Sequence, residues 1–412
     1  MKKKVLAFVL AIALVAALAI GLVACNQTER EVNLQAIEKE NIKIGLICLH
    51  DENSTYDANF INAMNEAVEN LGLNKETQLV IRTNISESEA CYNAAVDLVE
   101  DGCNIIFADS FGHEDYIMQA AWEYPDVRFC HATGTKAHTA KYGNYYNAFA
   151  SIYEGRYLAG VVAGMKLNEM IAAGKFTAAE AKMGYVGAFT YAEVISGYTS
   201  FYLGAKSVCP TVTMDVTFTG SWYDEVAEGE SATNLINRGC KLISQHADSW
   251  GAPNACKTAG VPNVTYNIST KTECPDSYLV HSRINWAPYY EYIVNSAINN
   301  TEIAYDWTGT IETGSVIVED YGKTVAAGTE AAVNEAKAKL IAGTLNVFDT
   351  ANFTVNGKAV TTYLADVDTD AAFAGDTEAI VNGIFKESFF RSAPYFALQI
   401  DGITLLNQAF GN

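Results

Sequence analysis

The sequence predicts an α/β protein in which one parallel-sheet unit occurs twice, and three observations carry that expectation. Gly102-Cys103-Asn104-Ile105-Ile106-Phe107-Ala108-Asp109-Ser110 returns as Gly239-Cys240-Lys241-Leu242-Ile243-Ser244-Gln245-His246-Ala247-Asp248-Ser249. Cys240 follows Cys103 by 137 residues, Pro262 follows Pro125 by the same 137, and Gly184 follows Gly45 by two more. Short apolar runs alternate with segments of helical period, the pattern of a parallel sheet with crossover helices. In such sheets a ligand sits beyond the carboxyl ends of the strands. Two units facing each other by those ends bring Asp109-Ser110 and Asp248-Ser249 into one shared cleft.

In chain order, Lys2, Lys3 and Lys4 precede an apolar run to Ala24, which reads as an export signal over 1–24. The ending Leu22-Val23-Ala24-Cys25 resembles the lipobox of bacterial lipoproteins. That resemblance implies that Cys25 becomes the first mature residue, carries lipid and anchors the protein to the outer side of the cell membrane. Polar residues 25–40 read as a flexible tether. The remainder is long enough for two or three domains. Without the three leader lysines, 24 basic residues face 48 acidic ones, a net of −24, which makes nucleic acid a poor partner. The other eight cysteines form no Cys-x-x-Cys pair, and Cys48, Cys103, Cys130 and Cys240 lie in apolar runs, so free thiols in the core are expected.

The strand Ile44–Leu49 exits into His50-Asp51-Glu52-Asn53-Ser54-Thr55-Tyr56-Asp57, ahead of a helix through Phe60, Met64, Val68 and Leu71. Asp51, Ser54, Tyr56 and Asp57 are candidate ligand groups, with Ser54 or Asp57 also the helix cap. A second exit offers Asp109, Ser110 and Phe111. Small residues from Gly155 to Gly164 keep the following helix narrow, and the first passage between lobes falls here. Lobe 1 is read as 41–150 with about 268–286, and lobe 2 as 151–267 with about 287–412. In the last third, Ser315–Val318 reads as a strand, Glu330–Leu340 as a helix and 347–360 as a hairpin around Asn356-Gly357. Residues 363–412 read as an irregular appendage around the hinge.

Ile106-Phe107-Ala108-Asp109-Ser110-Phe111-Gly112, Tyr153-Glu154-Gly155-Arg156-Tyr157-Leu158-Ala159-Gly160, Gly220-Ser221-Trp222-Tyr223-Asp224 and Gln245-His246-Ala247-Asp248-Ser249, in this order, resemble the basic membrane protein family. Members are lipid-anchored solute-binding proteins of ABC importers for purine nucleosides or bases. The resemblance implies a type I periplasmic-binding-protein fold: two lobes, each a parallel sheet flanked by helices, three hinge crossings and a ligand cleft between. It also implies an ABC permease as partner and a purine stacked on Tyr56 and Trp222. Asp109, Ser110, Phe111, Asp248 and Ser249 would supply the polar and edge contacts, with Asn267 and Trp286 as further ligand residues. The chain departs from nucleoside-binding relatives at Ile268-Ser269-Thr270, where they carry an acidic residue, and near Ser282, where they carry lysine. A branch with tryptophan at the position of Trp286 binds a free base, so an adenine-like ligand is favoured.

No cofactor or metal is expected, and a monomer is. Asp109, His113, His246 and Asp248 could instead form a metal-dependent hydrolase site, but there is no His-Glu-x-x-His and no Gly-x-Ser-x-Gly. A surface receptor, sensor or adhesin using the same body is the other alternative.

Overall fold

Among the described residues, twelve strands and nine main helices build the body in chain order. β1 (Ile44–Ile47), α1 (Thr55–Asn70), β2 (Leu79–Arg82), α2 (Glu89–Glu100), β3 (Ile105–Ala108), α3 (Glu114–Glu123), β4 (Arg128–Ala132) and β5 (Tyr145–Ala150) come first. Then follow α4 (Ile152–Ala172), β6 (Lys182–Gly187), α5 (Ala192–Val208), β7 (Thr213–Phe218), α6 (Glu225–Asn237), β8 (Leu242–His246), α7 (Gly251–Ala259), β9 (Asn263–Tyr266) and β10 (Tyr278–Ile284). α8 (Ala287–Asn299), β11 (Asp306–Gly309), β12 (Val316–Glu319) and α9 (Thr329–Ile341) complete it. Two short antiparallel pairs, β13 (Leu364–Ala365) with β14 (Thr377–Glu378) and β15 (Ile380–Val381) with β16 (Ile384–Phe385), precede β17 (Ile403–Leu405). The computed structural model describes residues 32–367 and 375–410. The expected export signal, Cys25 and the first part of the tether lie outside them.

One sheet has the order β11-β5-β4-β3-β1-β2 and the other β12-β10-β9-β8-β6-β7-β17. All pairings are parallel except that of β10 with β12. Read outward from its second strand, each sheet repeats the same order, β2-β1-β3-β4-β5 and β7-β6-β8-β9-β10. The 137-residue offset is therefore a duplicated folding unit.

That duplication corrects the lobe boundaries. Residues 278–284, expected in the first lobe, form β10 and pair with β9 in the second sheet. The repeat is one strand longer than the sequence landmarks showed, and the β9–β10 link lacks the crossover helix that normally marks a parallel pair. The chain passes to the first lobe only after Ile284, whose carbonyl accepts from Asn59 Nδ2 at 2.8 Å. There α8 packs on α1, with Trp286 stacked on Phe60 at 4.5 Å. β11 joins the first sheet, and β12 returns to the second.

Residues 34–40 also differ from the expected tether. Leu34 and Ile37 pack against the core, Ile37 N donates to Ala297 O at 3.0 Å, and Gln35 O accepts from Arg128. Two apolar side chains three residues apart give this segment a face to bury. The small residues of α4 do serve close packing: a Cβ at Gly160 would lie 2.0 Å from the Phe201 carbonyl of α5, and one at Gly204 2.0 Å from that of Tyr157. The strand at 316–319 and the helix at 329–341 fall where expected, whereas the 347–360 hairpin reduces to one tight turn. There Asn356 and Gly357 both have positive φ, and Val355 bridges Lys358. All eight cysteines in the described residues are buried free thiols. No helix among those residues is long and apolar enough to cross a membrane.

Candidate functional site

The carboxyl ends of the two sheets meet around a narrow cavity. Leu49 and His50 after β1, Tyr56 and Asp57 in the first turn of α1, Ser110 and Phe111 after β3, and Thr133 after β4 form the first-lobe wall. Glu193 in the first turn of α5, Trp222 after β7, and His246 and Asp248 at the end of β8 form the second. The lobes also touch directly. Thr55 N donates to Asp248 O at 2.8 Å, the His50 and Tyr223 rings lie 5.5 Å apart, and those of Phe111 and Tyr191 5.8 Å.

Six of the residues singled out from sequence line this cavity: Tyr56, Asp57, Ser110, Phe111, Trp222 and Asp248. The other six support it or lie apart. Ser54 caps α1, accepting from Asp57 N and donating to Asp57 Oδ2. Asp51 faces outward and accepts from Asn53. Asp109 is fully buried behind the wall, one oxygen accepting from Leu49 N and its carbonyl from the Tyr56 hydroxyl. Ser249 is turned into the α6–α7 region, where its Oγ accepts from Gly251 N and its own N–H meets Glu228. Asn267 holds a left-handed turn at φ 67° after β9. Trp286, 1% exposed, is a core residue on Phe60, Phe107 and Phe149 rather than a cleft residue.

Leu49, His50, Thr133, Glu193 and His246 complete the lining without having been proposed as ligand residues. Glu193 was findable: it follows Tyr56 by 137 residues and so occupies the equivalent helix start in the second copy.

Charge and hydrogen bonding set what the cavity can hold. Burial favours the neutral Asp57, but the His50 ring 3.5 Å away and hydrogen bonds from Ser54 Oγ and His50 N outweigh it and hold the carboxyl below its ordinary value. Burial, then the nearby Glu228, Asp57 and Glu193, push Asp248 well above the usual carboxylate range. Burial keeps His246 neutral against the pull of Glu193, 3.4 Å away. Among the described residues, no lysine or arginine lines the cavity. Arg156 sits behind Tyr266, its guanidinium 4.3 Å from that ring's centre and bonded to Gln245 O. The hydroxyl donors are already engaged: Ser110 Oγ donates to Glu87, Thr133 Oγ1 to Ala132 O, and Tyr56 Oη to Asp109 O. The cavity thus offers aromatic faces and acceptors, and burial favours the neutral form of Asp248, which can donate and accept at once.

Behind Asp248, Glu228 accepts from Ser249 N at 3.1 Å and from Asp224 N at 3.1 Å, and burial raises its carboxyl to about 7. The folded chain therefore holds this proton between about pH 4.5 and pH 7 while the unfolded chain releases it, so this group's stabilisation falls as pH rises through that window. Glu228→Gln is expected to melt with wild type at pH 5 and to be more stable at pH 8, by on the order of 2 kcal/mol. Melting curves at the two pH values check this; an equal difference at both would contradict it.

Among the described residues, Cys48, Asp57 and Asp109 have metal-ligand types with donor atoms within 4.8 Å of one another. Asp57 is already satisfied by His50 and Ser54, and burial holds the Cys48 thiol and the Asp109 carboxyl in their neutral forms. Cys48 and Asp109 thus read as neutral parts of the wall beside an Asp57 engaged by protein donors.

Two like lobes, each a parallel sheet flanked by helices, facing each other by their carboxyl ends across a cavity define a type I solute-binding fold. In the same fold, a solute-binding protein of an ABC transporter from Aeropyrum pernix superposes with a TM-score of 0.62 at 15% identity, over 74% of this chain and 92% of that one. A purine-binding protein of Brucella abortus is 33% identical over 255 residues, 61% of this chain and 67% of its own length. A Haloferax volcanii protein, provisionally a glucose-binding component of an ABC transporter, is 30% identical over 252 residues, 61% of this chain and 59% of its own length. Residues 44–350 match the family described as ABC transporter substrate-binding protein PnrA-like. The chain belongs to that family, Bmp, whose members are solute-binding proteins that work outside the cytoplasm with a membrane permease.

Proposed function

We propose that this protein captures a purine, an adenine-like base above all, and hands it to its ABC permease. The observation that carries the reading is the cavity itself, with Tyr56 and Phe111 on one wall, Trp222 on the other, and acceptors but no cation between. Aromatic faces suit a flat heterocycle, each stack contributing about 1–3 kcal/mol. Asp248 pairs a donor and an acceptor with a purine edge, and Asp57 and Glu193 accept from ring or exocyclic N–H groups. The Brucella relative supports the same ligand class. A ligand touching both walls shifts the lobes toward the closed arrangement, which is what the permease reads. The protein acts by reversible capture without chemistry.

A melting-temperature screen against adenine, hypoxanthine, their nucleosides and aldohexoses tests this. Adenine is expected to give the largest rise; a rise with glucose alone would overturn the purine assignment and favour the ligand of the Haloferax relative.

The same reading anchors the chain by lipid on Cys25, on the strength of Leu22-Val23-Ala24-Cys25. Cys25→Ser expressed with its leader is expected to leave the membrane fraction, and retention there at wild-type level would remove the lipid anchor.

A further inference from the structure

The match to the family ends at residue 350, yet the chain continues through a segment that contacts both lobes. It departs from α9, which packs on α4 of the second lobe. On the first lobe, Val367 O meets the His138 ring. Ser392, 1% exposed, is held there more firmly. Its N–H donates to Asp306 Oδ2 at 2.6 Å, its Oγ to Asp306 Oδ1 at 2.5 Å, and it accepts from Asn147 Nδ2 at 3.1 Å. Asp306 begins β11 and Asn147 lies in β5, so both belong to the first sheet.

The segment holds the second lobe on both sides of Ser392. Glu387 accepts from Ser196 of α5, Gln399 accepts from Tyr198, and β17 pairs with β7. The Asn407 side chain both accepts from Phe218 N at 2.7 Å and donates to Phe218 O at 2.8 Å, while Ala409 exchanges hydrogen bonds with Thr190. Phe218 leads into the loop that carries Trp222, and Thr190 into the start of α5 with Glu193. Between the two anchorages no slack is free, because Phe396 is buried and stacks on Phe348 at 4.2 Å, and Phe348 packs on Tyr153 at the first crossing.

We infer that residues 375–410 form a clasp: Ser392 on the first lobe and residues 403–409 on the second tie the lobes together and slow the opening of the ligand cleft. Separation of the lobes must break the charge-assisted bonds of Ser392 to Asp306 or unpack the Phe396 cluster. Contacts present only with the lobes together shift the open–closed balance toward closure by their full worth. The inference rests on the two-lobed fold and family membership, not on the identity of the ligand.

The test compares the chain starting after Cys25 with its Ser392→Ala/Asp306→Asn variant, and with Phe389→Ala, an exposed position in the same segment, as control. Small-angle X-ray scattering without ligand is expected to show a larger radius of gyration for the double variant alone. Stopped-flow release of adenine is expected to be about tenfold faster, the loss of roughly 1.4 kcal/mol, with association changed less than twofold. Ligand-free scattering of the double variant that superposes on wild type, with both melting as folded proteins, would overturn the clasp. Should wild type itself not bind adenine, the purine assignment fails while the scattering comparison still decides the clasp.

Discussion

Trp222→Ala is expected to weaken adenine binding at least tenfold while the protein stays folded. Trp222 is half-buried on a loop after β7, its ring edge-on to Phe189 at 5.1 Å and facing the cavity. A stacked base loses about 1–3 kcal/mol with its aromatic partner, and 1.4 kcal/mol is a factor of ten in affinity. The loop keeps its shape because the bond that fixes it uses the backbone: Asp248 N donates to Trp222 O at 2.9 Å. Phe189 and Tyr191 still fill the space behind. Isothermal calorimetry on the variant, with circular dichroism to establish the fold, measures the effect. Unchanged affinity would remove Trp222 from the site and with it the two-walled stack.

Mononucleotides are expected to be refused. Adenosine 5′-monophosphate should bind at least a hundredfold more weakly than adenine, because its phosphate would enter a cavity whose wall carries an ionised Asp57 and no lysine or arginine. At a separation of about 6 Å and an effective dielectric of about 20, each such charge pair costs roughly 3 kcal/mol. No free hydroxyl offsets that, since Tyr56, Ser110 and Thr133 already donate to protein acceptors. Competition of the monophosphate against bound adenine checks this at low and high salt. Equal affinity would mean that a cation reaches the phosphate, and Arg156 behind Tyr266 would be the first place to look.

The fold was legible where the sequence repeats itself. The offset between Cys103 and Cys240 matched β3 to β8, and the Pro125 and Pro262 pair matched β4 to β9. The repeat extends one strand beyond those landmarks: β5 begins in a tyrosine-rich passage with no matching landmark in the second copy, and β10 follows a loop instead of a helix. Lobe boundaries after residue 267 were misplaced for that reason. In the site, residues that exit strands into the cleft were recognised by type, which caught Tyr56, Phe111, Trp222 and Asp248. Depth behind a strand end is not written in residue type. Asp109 and Ser249 share the motif of their neighbours, yet one points behind the wall and the other turns to accept from Gly251 N at the start of α7. Trp286 looked like a ligand aromatic through family resemblance, but its place at the start of α8 turns it into the first-lobe core. His246 entered the reading only as a rival catalytic group, and its position beside Glu193 required the fold.

The most direct measurement is calorimetric titration of the chain after Cys25, stripped of carried-over ligand by unfolding and refolding, against adenine, hypoxanthine, adenosine, guanosine and inosine. The account predicts one-to-one binding of adenine that is tighter than that of any nucleoside. Absence of binding across the purines, by a protein that has refolded, would contradict it and leave a solute-binding fold in search of another small polar ligand.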